Sequence, residues 1–402
     1  SLWAYWGHLN TYKNQKVHPI MGIPLCGEIN VTEDIFDERK NCKEGRECRG
    51  TEYTRVLVDY TGVDDVENFE KIAKDFEEST SDKIITWSSS MCLTSIKNKQ
   101  KDPKDWKWKG RLVVRGDKIY AITDQKGLYL VGQIANNKWS PVCSLASFRK
   151  VVANSVLHKD RILQAIDVEN AYLQTEYDTS ELQGLGKHYL QLPEEAIQYL
   201  PKALREKHAK LDNPVFHMKK ALYGHPISAK IFINEVRRIF RQAGFTESQE
   251  DPALLHGQHG TLVCMYVDDI LASGPPDEVA KVWKIVKDRF TIGEEPAFPN
   301  DFLGVEIEKI NSKHSRGVAL GMKGYTQLIC DGYIKNFQST IKDQITPLPY
   351  DPRDDDAKEN NTRSLHFRKK QLLQSVVGEL LWLTRCVRPD ISAPVSFLAA
   401  RV

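Results

Sequence analysis

Two adjacent carboxylates, Asp268 and Asp269, stand between two short apolar runs of the sequence. The runs are Leu262-Val263-Cys264-Met265-Tyr266-Val267 before the pair and Ile270-Leu271-Ala272 after it. Two apolar runs around a polar pair predict a β-hairpin with the acids at its tip. Like charges this close raise each other's proton affinity unless a cation neutralises them, and Mg²⁺ prefers carboxylate oxygens. An ordinary turn is the alternative, because Asp is a common turn residue.

A third carboxylate, Asp167, ends another apolar segment, Ile162-Leu163-Gln164-Ala165-Ile166. This segment predicts a buried strand. If the two strands are neighbours, Asp167 meets Asp268 and Asp269, and three carboxylates hold two Mg²⁺ ions about 3.5–4 Å apart for in-line phosphoryl transfer. Mn²⁺ is an alternative ion, because it also takes carboxylate oxygens. The third acid therefore favours a phosphoryl-transfer site over a plain turn.

The elements that must position these acids are predicted from apolar periodicity. Helices are predicted at Val66–Phe76, Ser144–His158, Ile227–Ala243, Val279–Phe290 and Phe367–Val387. Strands are predicted at Val31–Phe36, Thr54–Asp59, Arg111–Asp117 (running into a turn) and Phe302–Ile307. The order of strand, helix, hairpin, helix and strand predicts an α+β sheet with helices packed on one face.

Composition narrows the class of protein without naming a function. The 402 residues are 41% hydrophobic and 27% charged, which is ordinary for a globular protein, and the length predicts two or three structural units. No run of 18 apolar residues occurs, which argues against a transmembrane helix, and the start does not resemble a signal peptide. Eight scattered cysteines without a C-x-x-C pair predict a reduced, intracellular protein.

A basic segment lies between Lys97 and Lys118. It holds nine Lys or Arg residues against three Asp, with Trp106 and Trp108 among them. Such a segment suits a phosphate backbone or a triphosphate. From this feature alone, a solvated basic loop is the favoured interpretation.

Seven blocks of the sequence resemble copia-type retrotransposon reverse transcriptases. Tyr266-Val267-Asp268-Asp269 resembles the YxDD box, and Asp167-Val168-Glu169-Asn170-Ala171-Tyr172-Leu173 resembles the pattern D-V-x-x-A-[FY]-L. The other blocks are Arg111-Leu112-Val113-Val114-Arg115-Gly116, Ala221-Leu222-Tyr223-Gly224, Asp251-Pro252, Phe302-Leu303-Gly304-Val305-Glu306-Ile307 and Arg388-Pro389-Asp390-Ile391. One match is weak evidence, whereas seven in the family's order, over roughly residues 105 to 400, are strong evidence.

The resemblance implies a fold and a division into domains. The fold is the right-hand polymerase fold of fingers, palm and thumb, with helices covering an antiparallel palm sheet. Residues 91–307 would form the fingers and palm, and residues 308–402 a helical region like the thumb or connection, without a ribonuclease H domain. Residues 1–90 would be an N-terminal segment of integrase-tail or linker type.

The resemblance also implies an RNA-directed DNA polymerase, made as part of a polyprotein with a role in DNA integration. Asp167 and Asp268 would be the principal ligands of two Mg²⁺ ions, or of Mn²⁺, with Asp269 in support. The partners would be an RNA template, a DNA or tRNA-like primer, the RNA–DNA hybrid and deoxynucleoside triphosphates, with no membrane. The expected location is the cytoplasm, with a virus-like particle as an alternative, and with access to the nucleus.

The resemblance further implies five residues that bind the nucleotide. Matched to the family's block, Arg111 is favoured as the contact to the triphosphate, with Lys109 as a close alternative. Tyr172 would lie beneath the sugar and exclude a 2′-hydroxyl, although without the resemblance a core tyrosine is favoured. Tyr223 and Gly224 would line the pocket, where glycine allows close approach of the backbone.

Phe302, Leu303 and Gly304 would hold the primer end, and a plain buried strand is an alternative compatible with that role. After Gly224 the family's usual L-K-Q-x-P-R-x-W is replaced by His225-Pro226-Ile227-Ser228-Ala229-Lys230-Ile231-Phe232. This departure leaves the three acids unchanged but admits a second hypothesis, a decayed or domesticated palm that binds RNA or RNA–DNA hybrid without polymerising. A third hypothesis, a DNA-templated polymerase with the same palm, is disfavoured by the YxDD box and the Arg111–Gly116 block.

Overall fold

The structure of the protein is a computed structural model, which describes residues 42–80, 83–97, 104, 106–122, 140–180, 182, 184–311, 316–342 and 367–401. These residues belong to two compact units, and the boundary lies between Ala297 and Phe298. The strand predicted at Val31–Phe36 lies outside the described residues. Among the described helices, none is both long enough and apolar enough to cross a membrane.

The first unit contains the predicted hairpin and most of the predicted helices. Its elements, in chain order, are α1 (Lys43–Thr54), β1 (Val63–Asn68), α2 (Phe69–Glu77), β2 (Ile84–Lys97), β3 (Lys107–Val114), β4 (Tyr120–Ala121), α3 (Leu145–Leu157), β5 (Ile162–Asp167), β6 (Leu185–Gln191), α4 (Glu194–Ile197), α5 (Lys202–His208), β7 (Pro214–Met218), α6 (Ser228–Gln242), β8 (Thr246–Glu247), β9 (Leu254–His256), β10 (Leu262–Tyr266), β11 (Asp269–Gly274) and α7 (Pro276–Lys287). The helices predicted at residues 144–158, 227–243 and 279–290, the hairpin and the strand ending at Asp167 are confirmed.

One sheet of this unit has the strand order β1-β7-β6-β2-β3, with β4 beside β2. β2 pairs with β6 in parallel, and its pairing with β3 is antiparallel. Tyr53 and Leu57 share a buried cluster with Leu112, Leu190 and Phe216 of the strands. The chain from α1 to β1 is therefore part of the core of this unit, although its sequence carries few signals.

The other sheet has the strand order β5-β11-β10-β9-β8 and is antiparallel throughout. Ala272 belongs to one buried cluster with Phe232 of α6 and Trp283 of α7. Ser273 points to the opposite face, where it accepts a hydrogen bond from Asn154 of α3 at 3.2 Å. Helices therefore cover both faces, and the prediction of helices on one face is wrong. Burial on both sides explains why β10 and β11 are continuous apolar runs rather than alternating ones.

The strand predicted at Thr54–Asp59 is also wrong. Its first residue ends α1, and a π-helical turn, Arg55–Asp59, follows. Val56 and Leu57 are both fully buried, whereas a strand would point them to opposite faces. The β-branched residues favoured a strand locally, and packing against the core overrides that preference. The helix predicted from Val66 begins only at Phe69, because the residues before it pair with β7.

The second unit is an antiparallel sheet followed by helices. Its elements are β12 (Asp301–Phe302), β13 (Val305–Asn311), β14 (Arg316–Gly321), α8 (Lys323–Phe337), α9 (Phe367–Cys386) and α10 (Ser392–Ala399). The strands have the order β12-β13-β14, and the helix predicted at residues 367–387 is confirmed as α9. The strand predicted at Phe302–Ile307 is instead a tight hairpin, because Leu303 and Gly304 have φ angles of 57° and 74°, which end β12 after two residues.

Candidate active site

The predicted acidic tip is the turn of the β10–β11 hairpin. Tyr266 and Asp269 are the last paired residues of the two strands, so Val267 and Asp268 form a two-residue turn. Val267 has a φ of 57°, a left-handed conformation that a β-branched residue rarely adopts. Such a residue stores about 1–3 kcal/mol of strain, so the paired strands, rather than local preference, must fix the direction of Asp268.

Asp167 joins this tip through strand pairing. β5 lies beside β11, and Asp167 is directly opposite Asp269. Residues directly opposite each other share a face of the sheet, with Cβ atoms about 4.5–5.5 Å apart. The backbone N–H of Val168 also donates a hydrogen bond to the carbonyl of Asp268 at 2.9 Å. The structure thus brings the three predicted acids to one end of the sheet.

A cavity of about 450 Å³ opens beside two of these acids. Asp167 and Asp268 line it together with Lys107, Lys109 and Arg111 of β3. Both candidates for the triphosphate contact therefore line the same cavity. Asp269 is not among its lining residues. A cavity lined by both carboxylates and cations suits a polyanion that carries a metal ion.

Arg111 and Tyr223 line the cavity and form a stack with Tyr172, which lies behind them. The Arg111 guanidinium lies 4.7 Å from the centre of the Tyr223 ring, and the Tyr172 ring centre is 4.9 Å from that of Tyr223. Tyr223 lines the cavity, whereas Tyr172 is a buried residue of the core beneath it. Burial raises the pKa of both tyrosines above the usual value, so both hydroxyls stay protonated at neutral pH.

Gly224 fixes Tyr223 against the end of β3. Its φ is +84°, and a Cβ at this position would lie 2.2 Å from the carbonyl oxygen of Val114. The backbone N–H of Val114 donates a hydrogen bond to the carbonyl of Tyr223 at 2.8 Å. Glycine is therefore required both for the dihedral angle and for the close approach, although Gly224 itself is not a lining residue.

Helix α1 and the π-helical turn that follows it also line the cavity, which the sequence analysis did not predict. Cys48, Thr51, Glu52 and Arg55 line it. The helix approaches β3 at Gly110, where a Cβ would lie 2.6 Å from the carbonyl oxygen of Cys48. The spacing of three and four residues between the lining side chains is a helical signal, but the strand prediction for the next residues concealed it.

Comparison with known proteins decides the family. Residues 91–340 match the family model described as reverse transcriptase (RNA-dependent DNA polymerase). The chain belongs to the reverse transcriptase family. It is 26% identical to the retrovirus-related Pol polyproteins from transposons RE2 and RE1 of Arabidopsis thaliana, over 271 and 269 residues. Each alignment covers 65% of this reverse transcriptase chain but only 16% of the relative. These matches confirm the copia-type resemblance.

The carboxylates of this reverse transcriptase fit a magnesium site of a particular kind. Among the described residues, no group of three or more His, Cys, Asp or Glu side chains is arranged to hold a metal ion by itself. Magnesium is commonly held by one or two carboxylates together with water and substrate phosphates. Asp167 and Asp268, which share the cavity, match that donor set, and the role of Asp269 stays a prediction.

The departure from the family after Gly224 lies inside the core of the first unit of this reverse transcriptase. His225 is buried, with its ring centre 4.6 Å from that of His188. His188 in turn hydrogen-bonds to the hydroxyls of Thr86 and Ser88, at 2.7 and 3.0 Å. Residues 225–232 are all described, and none of them lines the cavity. Most of the altered residues therefore belong to the core, and none of them lies in the cavity wall.

The residues predicted to hold the primer belong to the second unit. Phe302 is buried, and Leu303 and Gly304 form the β12–β13 turn. A glycine with a positive φ at the tip of a hairpin is a structural requirement of the turn. Their contact with a primer stays a prediction.

Proposed function

We propose that this chain is an RNA-directed DNA polymerase that adds deoxynucleotides to the 3′-hydroxyl of a primer. One observation carries the proposal: a single cavity joins Asp167 and Asp268 to the cations of β3. Nucleotide addition needs both groups, because the triphosphate requires cations and the metal ions require carboxylates. The family match supports the same chemistry.

In this proposal the primer hydroxyl attacks the α-phosphorus of the nucleotide, and pyrophosphate leaves. Asp167 and Asp268 would hold two Mg²⁺ ions, with Asp269 in support. The bound ions would lower the pKa of the attacking hydroxyl and neutralise charge on the leaving group. Lys109 and Arg111 would hold the triphosphate in line with the primer, and bidentate contacts favour Arg111.

Tyr223 would form the floor on which the sugar and base of the nucleotide rest. Its ring is supported from below by Tyr172 and flanked by Arg111. Exclusion of a 2′-hydroxyl, assigned to Tyr172 by resemblance, would then depend on how Tyr172 supports the Tyr223 ring. The ring centre of the fully buried Phe232 lies 6.1 Å from that of Tyr172, so Phe232 supports the Tyr172 ring in turn.

The proposed macromolecular partners are an RNA template, a DNA or tRNA-like primer and the hybrid duplex. A near A-form hybrid is recognised by shape and backbone contacts rather than by base sequence. Affinity for it should therefore fall steeply as salt is added. The proposed setting is the cytoplasm or a virus-like particle, with access to the nucleus.

The deciding experiment extends a labelled DNA primer on an RNA template with Mg²⁺ and deoxynucleotides. Asp268→Asn should reduce extension at least about 100-fold, because loss of several kcal/mol of transition-state stabilisation corresponds to two or more powers of ten. Asp212→Asn is the matched control, because Asp212 is an exposed acid outside the cavity. It should extend at the native rate.

Two other outcomes would contradict the proposal. If no variant extends the primer but all retain the hybrid, the chain is a palm that binds nucleic acid without polymerising. If the native chain and Asp268→Asn extend equally, the metal-binding acids have been assigned wrongly.

A further inference from the structure

Arg55 lines the candidate nucleotide cavity from the turn that follows α1, outside the region that matches the family. It is the first residue of the π-helical turn, and its carbonyl accepts a hydrogen bond from the N–H of Tyr60 at 3.0 Å. The family match begins only at residue 91, so sequence comparison assigns Arg55 no role.

Glu52 holds Arg55 in place. Its two carboxylate oxygens have different partners: one accepts a hydrogen bond from the backbone N–H of Leu112 at 3.2 Å, and the other lies 2.8 Å from the Arg55 guanidinium. The Glu52 side chain is only 4% exposed, whereas that of Arg55 is 32% exposed. Glu52 thus ties Arg55 to β3, next to Arg111, while the guanidinium keeps access to the cavity.

The π-helical turn is also fixed on its other side. The Asn170 side chain donates a hydrogen bond to the Tyr60 hydroxyl at 3.5 Å. Asn170 lies three residues after Asp167, itself takes a left-handed conformation with φ 48°, and lines the cavity. Arg55 is therefore held between the strand that carries the cations and the loop that follows the first acid.

We propose that Arg55 binds a phosphate of the incoming nucleoside triphosphate and that Glu52 is its positioning residue. This inference rests on the proposed polymerase function and names one more contact of the same cavity. A guanidinium has five N–H donors in a planar fork, and only one of its nitrogens is bonded to Glu52. Donors thus remain for a phosphate that Lys109 and Arg111 approach from the strand.

The template backbone is another phosphate that an arginine here could meet. The triphosphate is favoured because Arg55 shares one cavity with both Asp167 and Asp268. A template strand has no need of those two acids, whereas metal-bound triphosphate does. The two phosphates are separable by experiment.

The kinetic test compares Arg55→Ala, Arg55→Lys and a matched control, Lys43→Ala, at the start of the helix that precedes Arg55. Lys43 has an exposed side chain and does not line the cavity. Arg55→Ala should raise KM for the deoxynucleotide about 10-fold or more, as expected for loss of a charge-assisted hydrogen bond. Arg55→Lys should recover part of that loss, because it keeps the charge but loses the fork. The affinity for primer–template should stay within about 2-fold of the native value.

A second variant controls for destabilisation, because Arg55→Ala leaves the buried Glu52 carboxylate without its partner. The double variant Glu52→Gln, Arg55→Gln removes both charges while an amide oxygen still accepts from Leu112. Its thermal transition should match that of the native chain, and its KM should rise as in Arg55→Ala. Glu52→Gln alone should raise KM by a smaller factor, because Arg55 is present but loosely held. An unchanged KM in the double variant would overturn the proposal, as would a weakened primer–template affinity with KM unchanged.

A binding measurement separates this proposal from the polymerase function. Inorganic triphosphate is titrated into the free protein, and the fluorescence of Trp108, which lines the cavity, is followed, with Trp108→Phe to assign the signal. If the native chain binds triphosphate and Arg55→Ala binds it about 10-fold more weakly, the phosphate site stands even where primer extension fails. Equal binding by both proteins, or no binding by the native chain, would refute the site.

Discussion

Replacing Gly224 by alanine should combine two separate costs. A φ of +84° costs about 1–2 kcal/mol in a residue with a Cβ, and the stiffer unfolded chain offsets about 0.4–1 kcal/mol of that. The new Cβ would also lie 2.2 Å from the Val114 carbonyl oxygen. The two segments must therefore separate, and the hydrogen bond from the Val114 N–H to the Tyr223 carbonyl must break.

The close approach of the new Cβ to Val114 costs more than the dihedral angle. An unsatisfied buried donor costs about 1–3 kcal/mol, and overpacking costs about 1–3 kcal/mol more. Gly224→Ala should therefore lower the free energy of unfolding by about 3–5 kcal/mol. For a domain of roughly 250 residues, each kcal/mol lowers Tm by about 2–4 °C, so we expect a fall of about 10 °C in thermal denaturation followed by circular dichroism.

Gly244→Ala is the matched control for this prediction. Gly244 ends α6 with a φ of +87°, but a Cβ there would meet no atom within 4 Å. It should lose only the dihedral cost, about 1 kcal/mol, or about 3 °C in Tm. Gly224→Ala should also raise KM for the deoxynucleotide, because Tyr223 moves with the backbone. Equal Tm losses in the two variants would refute the assignment of a close approach at Gly224.

Two further predictions concern stability alone. Burial lowers the pKa of His225 to about 3 and that of His188 well below its usual value. Below about pH 6.5, both histidines are therefore protonated in the unfolded chain but still neutral in the folded chain, so the unfolded chain binds more protons. The free energy of unfolding from urea titrations should therefore fall as pH drops from about 6.5, by up to about 1.4 kcal/mol per pH unit for each histidine, and the slope should be smaller in His225→Gln. Asp251→Ala removes the acceptor of the Ser144 N–H and the Ser147 hydroxyl at the start of α3, and should cost about 2–4 kcal/mol, with a smaller loss in Asp251→Asn.

Each of these two predictions has an outcome that would contradict it. A urea midpoint that stays constant from pH 7 to pH 5 would mean that neither histidine is buried in its neutral form. An Asp251→Ala variant as stable as the native chain would mean that water, rather than Asp251, satisfies the Ser144 N–H and the Ser147 hydroxyl.

The position of the acids at strand ends could be predicted from the sequence, but the register between β5 and β11 could not. Apolar runs on both sides of Asp268-Asp269 predict the hairpin, because only a buried strand pair places polar residues at its tip. That Asp167 lies opposite Asp269 follows from the pairing of β5 with β11, which joins residues about a hundred positions apart. No local pattern in either strand carries that information.

The end of α1 and the π-helical turn after it show where prediction from local sequence fails. Val56 and Val58 have high strand propensity, and nothing in their neighbourhood indicates the core against which Val56 and Leu57 pack. The role of Glu52 cannot be predicted from local sequence either, because it depends on a hydrogen bond to the backbone of Leu112, sixty residues later. Motif blocks could locate the acids and the cations, since those carry their own chemistry. They could not locate a helix that acts by packing.

Helix α1 also changes where the folded unit begins. The family match starts at residue 91, yet a fragment cut there would lose Tyr53 and Leu57 and expose the apolar surface of β3 that they cover. It would also leave the Leu112 N–H without its Glu52 acceptor. The segment that matches the family is therefore shorter than the segment that folds. A fragment trimmed to the matching segment should be insoluble when expressed, whereas a fragment that begins before Cys42 should be soluble.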